Sequence, residues 1–112
     1  MHNFSIPSVL KLWIDQIVRN GRAFSYGPNG PAGLLKGKKA TVLVASGGFY
    51  EPGTPAAAYD HIEPYLRTIL GFIGITDVTF VRVGGTSQLQ SGAVTRESLL
   101  APALQQVRAL AA

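Results

Sequence analysis

The sequence predicts an α/β domain built on an open parallel sheet, and three observations support this. Two short apolar, β-branched runs lie at 41–46 and 78–83, and three patterns of helical period flank them. Each run ends in a pair of glycines, where a strand can turn sharply. Strands that alternate with helices are typical of parallel sheets with right-handed crossovers. The predicted order is helix, strand, helix, strand, helix.

The first helix is predicted from apolar residues that recur at i, i+3, i+4 and i+7 between Ile6 and Val18. We expect Ser5 or Ile6 to cap this helix, with Pro7 in its first turn. Gly21 is expected to end it.

The second and third helices carry recognisable end signals. Asp60 followed by Glu63 has the spacing of a capping box, so a helix is expected to begin there. Gly74 then predicts a left-handed stop at its C-terminus. The last apolar pattern runs from Leu99 to Ala111, with Pro102 near its start.

Residues 20–39 contain five glycines and two prolines, and are predicted to form a long loop. Phe24 is expected to plug the core. Tyr26 is a candidate for a site wall, with a core role equally open.

Composition narrows the class of protein. With 112 residues, 46% of them apolar and 14% charged, the chain is predicted to form one packed domain. It contains no cysteine, which excludes disulfides and thiolate metal sites and fits a reducing, cytoplasmic environment. No apolar run reaches the length of a membrane span. The net charge is +4, but basic residues cluster only at 36–39 without interleaved aromatics, so no nucleic-acid partner is expected.

Metal and nucleophilic chemistry are both disfavoured. His2 and His61 are the only histidines, and neither has ligand partners at metal spacing. Ser46 lacks the Gly-x-Ser-x-Gly elbow of a nucleophile. Asp60 and His61 are interpreted as a helix cap rather than as its partners.

The stretch 39–48 is a predicted strand that ends in a ligand site. Its apolar residues fall on both alternations, so the strand is expected to be buried on both faces. Open α/β sheets bind ligands beyond the carboxyl ends of their strands, which places Ala45–Gly48 on the floor of such a site.

Several segments together resemble the C-terminal half of the FMN-dependent NADH-azoreductases, a branch of the flavodoxin-like NAD(P)H:quinone reductases. They are Met1-His2-Asn3-Phe4, Trp13-Ile14-Asp15-Gln16-Ile17, Gly47-Gly48, and Leu70-Gly71-Phe72-Ile73-Gly74-Ile75-Thr76-Asp77-Val78. The resemblance covers roughly residues 1–85. It implies a flavodoxin-like open parallel sheet with helices on both faces, of which residues 1–112 form a partial domain, the C-terminal half.

The resemblance also implies an activity. In this family NADH reduces the N5 atom of FMN, and a quinone or an azo compound then takes the hydride. The flavin does the chemistry, so no catalytic side chain is implied. Family members are cytoplasmic homodimers with the site at the subunit interface.

The resemblance implies two flavin-binding loops. The first loop, which would lie along the isoalloxazine, consists of Met1, His2, Asn3 and Phe4. The second loop, which would hold the pyrimidine side of the ring, consists of Ala45, Ser46, Gly47 and Gly48. Tyr26 would help line the substrate side.

Departures from the family keep an alternative open. His2 stands where a tyrosine is usual, Ala45-Ser46 replaces Ser-Arg, and Val83-Gly84-Gly85 replaces Ala-Glu-Gly. The family's serine-rich loop for the flavin phosphate has no match in this sequence. The alternative is a truncated, non-catalytic flavodoxin-like module, either a gene remnant or a dimerisation piece. In both cases we expect strand 41–46 to present an unpaired apolar edge, a template for aggregation.

Overall fold

The computed structural model describes residues 1–111, and its element order contains the predicted alternation. In chain order the elements are α1 (Ser8–Ile17), β1 (Phe24–Gly27), β2 (Gly30–Gly33), β3 (Lys39–Ala45), a 3-10 helix (Ala57–Tyr59), α2 (Glu63–Phe72), β4 (Asp77–Val83), α3 (Ser87–Ser91) and α4 (Arg96–Ala111). The three predicted helices and two predicted strands are confirmed as α1, β3, α2, β4 and α4. The β1–β2 pair and α3 are additions.

The described chain divides into two compact units. The hairpin unit contains residues 2–40 and 61–79. The glycine-loop unit contains Met1, residues 41–60 and the described chain from Phe80 onward.

In the hairpin unit, α1 begins later than predicted. Pro7 is the N-cap, with extended backbone angles and no capping side chain, so the expected cap at Ser5 or Ile6 is wrong. Proline lacks the N–H that would otherwise need a partner at a helix start. The helix ends at Ile17 and buries Ile14, whereas Trp13 is left exposed.

A β-hairpin replaces the loop predicted for 20–39. Phe24 pairs with Gly33 and Gly27 with Gly30 in antiparallel register, which leaves a two-residue turn at Pro28-Asn29. The loop prediction failed because these strands contain glycine and proline, which are depleted in most strands. Proline is nevertheless tolerated in an edge strand.

Of the two predictions for the ends of α2, the first is wrong and the second is confirmed. Ile62 is the N-cap and no side chain caps the helix, so the predicted capping box is wrong. Glu63 instead pairs with Arg67 at 2.9 Å. The predicted C-terminal stop is confirmed: Gly74 has φ +103°, and the Ile75 N–H donates to the Leu70 carbonyl at 2.8 Å. This is the hydrogen bond of a Schellman motif.

In the glycine-loop unit, β3 and β4 form a two-stranded sheet. The Ser46 N–H donates to the Val83 carbonyl at 3.0 Å, so the carboxyl ends of the two strands meet. Val44 and Val81 are buried, but Leu43 is 69% exposed. The expectation that β3 is buried on both faces is therefore wrong for this chain, because no described element covers Leu43.

Replacing Leu43 by glutamine is expected to weaken self-association through the β3 face. Burying an exposed leucine in a contact between copies is worth about 1.5 kcal/mol, or roughly tenfold in the association constant. Sedimentation velocity over a concentration series measures this. Leu34→Gln, just after β2, is the matched control, since Leu34 is also an exposed leucine and lies outside the β3 face. A Leu43 variant that associates as strongly as the unsubstituted chain would contradict an aggregation-prone β3.

Candidate functional site

The loop after β3, residues 46–48, is held by many hydrogen bonds within the glycine-loop unit. Ser46 is 7% exposed, and its hydroxyl donates to the Gly48 carbonyl at 2.8 Å. The hydroxyl group of Ser46, one of the residues implied to bind the flavin, is thus turned into the loop itself. What the loop offers a ligand is its backbone.

Three successive carbonyls of this loop each accept two hydrogen bonds. The Ser46 carbonyl accepts the Thr86 N–H at 3.0 Å and the Thr86 hydroxyl at 3.1 Å. The Gly47 carbonyl accepts the Ser87 N–H at 3.3 Å and the Ser87 hydroxyl at 2.8 Å. The Gly48 carbonyl accepts the Gly85 N–H at 3.0 Å in addition to the Ser46 hydroxyl. The segment after β4 therefore holds the segment after β3.

Two amide groups of the same loop have no protein partner. Within residues 1–111, the N–H groups of Gly47 and Gly48 donate to no protein acceptor, whereas the Ser46 N–H is bound to Val83. A turn whose carbonyls are all bound and that keeps two adjacent unbound amides suits a ligand that presents acceptors or negative charge.

Met1 lies against this loop. Its backbone nitrogen donates to the Ala45 carbonyl at 2.8 Å. The structure thus brings together two of the predicted flavin-binding residues, which are 44 positions apart in the chain.

The glycines after β4 make room for an aromatic side chain. A Cβ on Gly85 would lie 2.4 Å from Cζ of Phe49, and one on Gly84 would lie 2.6 Å from Glu51 Oε1. From the sequence, Gly84-Gly85 is expected to end the strand in a sharp turn and departs from the family's Ala-Glu-Gly. The structure shows that they allow Phe49 and Glu51 to pack against the end of β4.

Thr86 and Ser87 are the residues that sequence reasoning missed. Their signal was present, because hydroxyl side chains immediately after a strand-ending Gly-Gly often bond nearby backbone. Which carbonyls they would reach depends on two loops 40 residues apart, and that pairing is not readable from spacing.

In the hairpin unit, residues 2–5 form a tight turn. His2 and Ser5 exchange backbone N–H···O bonds of 2.9 Å in both directions. The central residues Asn3 and Phe4 have φ of +47° and +67°, the only positive values among described non-glycine residues. Both central residues of a type I′ turn need such angles. Phenylalanine rarely adopts them, and backbone strain of this kind concentrates at functional sites.

An open cavity of about 580 Å³ adjoins this turn. Its lining is mixed in polarity: His2, Asn3, Ser5, Ile6, Ser8, Lys11 and Tyr65. Lys11 donates to the Asp15 carboxylate at 2.6 Å, and this hydrogen bond raises the pKa of the Lys11 ammonium. The ammonium therefore stays charged at neutral pH. The cavity offers hydrogen-bonding groups from two predicted flavin-binding residues, His2 and Asn3.

The strain at Phe4 predicts an inverted order of stability. Phe4→Gly is expected to be more stable than Phe4→Ala by about 1 kcal/mol, because both remove the ring and only glycine relieves the left-handed backbone. At a position with ordinary backbone angles, alanine is the more stable by about 0.5–1 kcal/mol. Urea unfolding of the two variants measures the difference. An alanine variant equal to or more stable than the glycine variant would contradict strain at this turn.

Tyr26 lies on β1 in the same unit and is largely exposed. Its ring meets the ring of Phe24 edge-on, with centroids 5.5 Å apart, and Phe24 in turn packs on Phe72 at 4.8 Å. The expected core role of Phe24 fits these contacts. Tyr26 is a side chain on a surface strand, outside the lining of the cavity beside His2.

Within residues 1–111, no group of three or more His, Asp or Glu side chains could hold a metal ion. No described helix is both long enough and apolar enough to cross a lipid bilayer.

Similarity to known proteins extends over the whole chain. An FMN-dependent NADH:quinone oxidoreductase of Acidobacterium capsulatum is 59% identical over 112 residues, which are 100% of this chain and 54% of that protein. FMN-dependent NADH:quinone oxidoreductase 2 of Bradyrhizobium diazoefficiens is 48% identical over the same length. The chain thus spans about half the length of the curated relatives it matches.

A solved structure likewise matches nearly the whole of this chain with about half of its own length. An FMN-dependent NADH-azoreductase from Bacillus anthracis, in complex with FMN, superposes with a TM-score of 0.86 at 33% identity. The match covers 99% of this chain and 50% of that one. The profile of a family described by its flavodoxin-like fold matches residues 1–110. This chain therefore belongs to the flavodoxin-like fold family, and it corresponds to about half of the azoreductases and quinone reductases it resembles.

Proposed function

We propose that the chain is the flavin-ring-binding half of an FMN-dependent oxidoreductase that passes two electrons from NADH to a quinone or an azo compound. The observation that carries this proposal is the loop 46–48, in which all three carbonyls are bound and the amides of Gly47 and Gly48 are unbound. It occurs in a chain similar along its whole length to proteins named for FMN, NADH and quinone.

Two loops are proposed to bind the flavin ring. Met1, His2, Asn3 and Phe4 would lie along the isoalloxazine, and the stretch 45–48 would hold its pyrimidine side. The turn at 2–5 supports the first role, because its strained backbone adjoins a cavity of mixed polarity that His2 and Asn3 line. The unbound amides of Gly47 and Gly48 support the second, since the pyrimidine edge of a flavin presents acceptor oxygens. Tyr26 is proposed to line the substrate side.

The bound FMN would supply the redox chemistry, accepting a hydride equivalent from NADH and passing it to the acceptor. The protein's part is to bind and orient. The backbone amides of Gly47 and Gly48 would orient the ring at its pyrimidine side.

A homodimer in the cytoplasm is proposed with this function. One face of α1 leaves Val9, Leu12 and Trp13 exposed, an apolar surface that a second copy of the chain could cover. The absence of cysteine from the sequence fits a reducing compartment.

An FMN titration followed by an NADH assay tests the proposal. Quenching of flavin fluorescence should give a dissociation constant in the micromolar range or tighter. The bound flavin should then be reduced by NADH and reoxidised by a quinone. Binding without reduction by NADH would favour the alternative, a non-catalytic flavodoxin-like module, which the half-length match also allows. No binding at micromolar flavin would contradict autonomous function of this chain.

A further inference from the structure

We propose that Thr86 and Ser87 are positioning residues for the flavin, acting through the backbone of the 46–48 loop. This inference rests on the proposed function and adds two residues to it. Neither belongs to the loops assigned to the ring. Both follow β4, and their hydroxyl groups reach across to the end of β3.

The argument begins with the planarity of the peptide bond. In a trans peptide the C=O of one residue and the N–H of the next lie in one plane and point in opposite directions. All described peptides of this chain are trans. Fixing the Ser46 carbonyl therefore fixes the direction of the Gly47 N–H. Fixing the Gly47 carbonyl in the same way fixes the Gly48 N–H.

Thr86 and Ser87 hold these two carbonyls. Each gives one carbonyl both its N–H and its hydroxyl, so Ser46 is fixed by Thr86 and Gly47 by Ser87. A carbonyl bound by two donors has little freedom to rotate. The need is greatest at Gly47 and Gly48, because glycine gives a backbone more conformational freedom than any other residue.

The consequence is a pair of preset donors. Amides that are already aimed and have no protein partner need no reorganisation when an acceptor arrives. Donors at the pyrimidine edge also favour the reduced flavin, because two-electron reduction adds negative charge there at neutral pH. The hydroxyl groups of Thr86 and Ser87 are thus expected to influence both the affinity for FMN and its reduction potential.

The test compares Ser87→Ala with three other variants. Ser87→Thr keeps the hydroxyl and is the rescue. Ser91→Ala is the matched control, because Ser91 is an exposed serine of the same short helix whose hydroxyl donates to the Gln88 carbonyl, outside the loop. Thr86→Val removes the second hydroxyl at nearly constant shape. If Ser87→Ala does not fold, Ser87→Cys replaces it, since a thiol is only a weak donor.

Three measurements are expected to move together. Ser87→Ala should raise the dissociation constant for oxidised FMN about threefold to tenfold, the range for loss of one hydrogen bond. The affinity for reduced FMN should fall about threefold further. For a two-electron couple that lowers the midpoint potential by about 15 mV. In the flavin-free chain, the ¹⁵N order parameter of Gly48 should fall from about 0.85 to below about 0.6. Ser87→Thr and Ser91→Ala should match the unsubstituted chain in all three.

The outcomes separate this inference from the function on which it rests. If FMN binds but Ser87→Ala changes neither affinity nor potential, positioning is overturned and the function stands. If FMN does not bind at all, the proposed function fails, and the order parameter still decides whether Ser87 holds the loop. A loss of affinity equal for both redox states, with a rigid Gly48, would indicate a purely structural role and would also overturn the inference.

Discussion

Asp60→Ala is expected to lower the free energy of unfolding by about 3–5 kcal/mol. Arg82 donates from Nη2 to Asp60 Oδ2, and the two side chains are only 10% and 6% exposed. Removing the carboxylate leaves a guanidinium charge buried without its counter-ion, which costs far more than the pair contributes when intact. Urea unfolding followed by circular dichroism measures the loss.

Two further variants define the cause of that loss. Glu63→Ala breaks an ion pair with Arg67 that is partly exposed, and should cost at most about 1 kcal/mol. Replacing both partners, as Asp60→Leu with Arg82→Met, should recover most of the stability lost by Asp60→Ala, because no charge is then left buried. A double variant as unstable as the single one would show that the pair is not the source of the effect.

Gly33→Ala is expected to destabilise the hairpin unit by about 3 kcal/mol or more. A Cβ at Gly33 would lie 2.2 Å from the Gly74 nitrogen and 2.4 Å from the Ile73 carbonyl carbon. Both are backbone atoms, so no side-chain rotation relieves the overlap. The hairpin would have to separate from the end of α2, where the Leu35 N–H donates to the Ile73 carbonyl at 2.9 Å.

Gly71→Ala is the control for this substitution. Gly71 lies inside α2, and a Cβ there meets nothing within 4 Å. Alanine is favoured over glycine in a helix by about 0.8–1.0 kcal/mol, so this variant should be more stable than the unsubstituted chain. Thermal unfolding of both variants gives the comparison. A Gly33→Ala variant within 1 kcal/mol of the unsubstituted chain would contradict close packing of β2 on the end of α2.

What the sequence predicted well depends on local physics. The Gly74 stop follows from a single backbone angle that glycine alone adopts freely, and the structure has that angle. The strands and long helices follow from apolar periodicity, which a short window of residues displays. These signals come from residues that are close together in the chain, so they can be recognised in a single sequence.

What the sequence predicted poorly depends on distant partners. Asp60 has the spacing of a helix cap, but its carboxylate is drawn to Arg82, 22 residues away. The hairpin at 24–33 is built from residues that usually mark loops, and contact with the end of α2 overrides that preference. The two proposed flavin loops rest on the family resemblance. The hydroxyl groups that hold the second loop were missed, because their acceptors lie 40 residues away.

Amide chemical-shift mapping tests most directly whether the two proposed loops bind a flavin ring. FMN added to the ¹⁵N-labelled chain should shift the amide resonances of His2, Asn3 and Phe4 together with those of Gly47 and Gly48. Resonances of α4, from Arg96 to Ala111, should remain in place. Shifts confined to other segments, or no shifts at micromolar FMN, would contradict flavin binding by these loops.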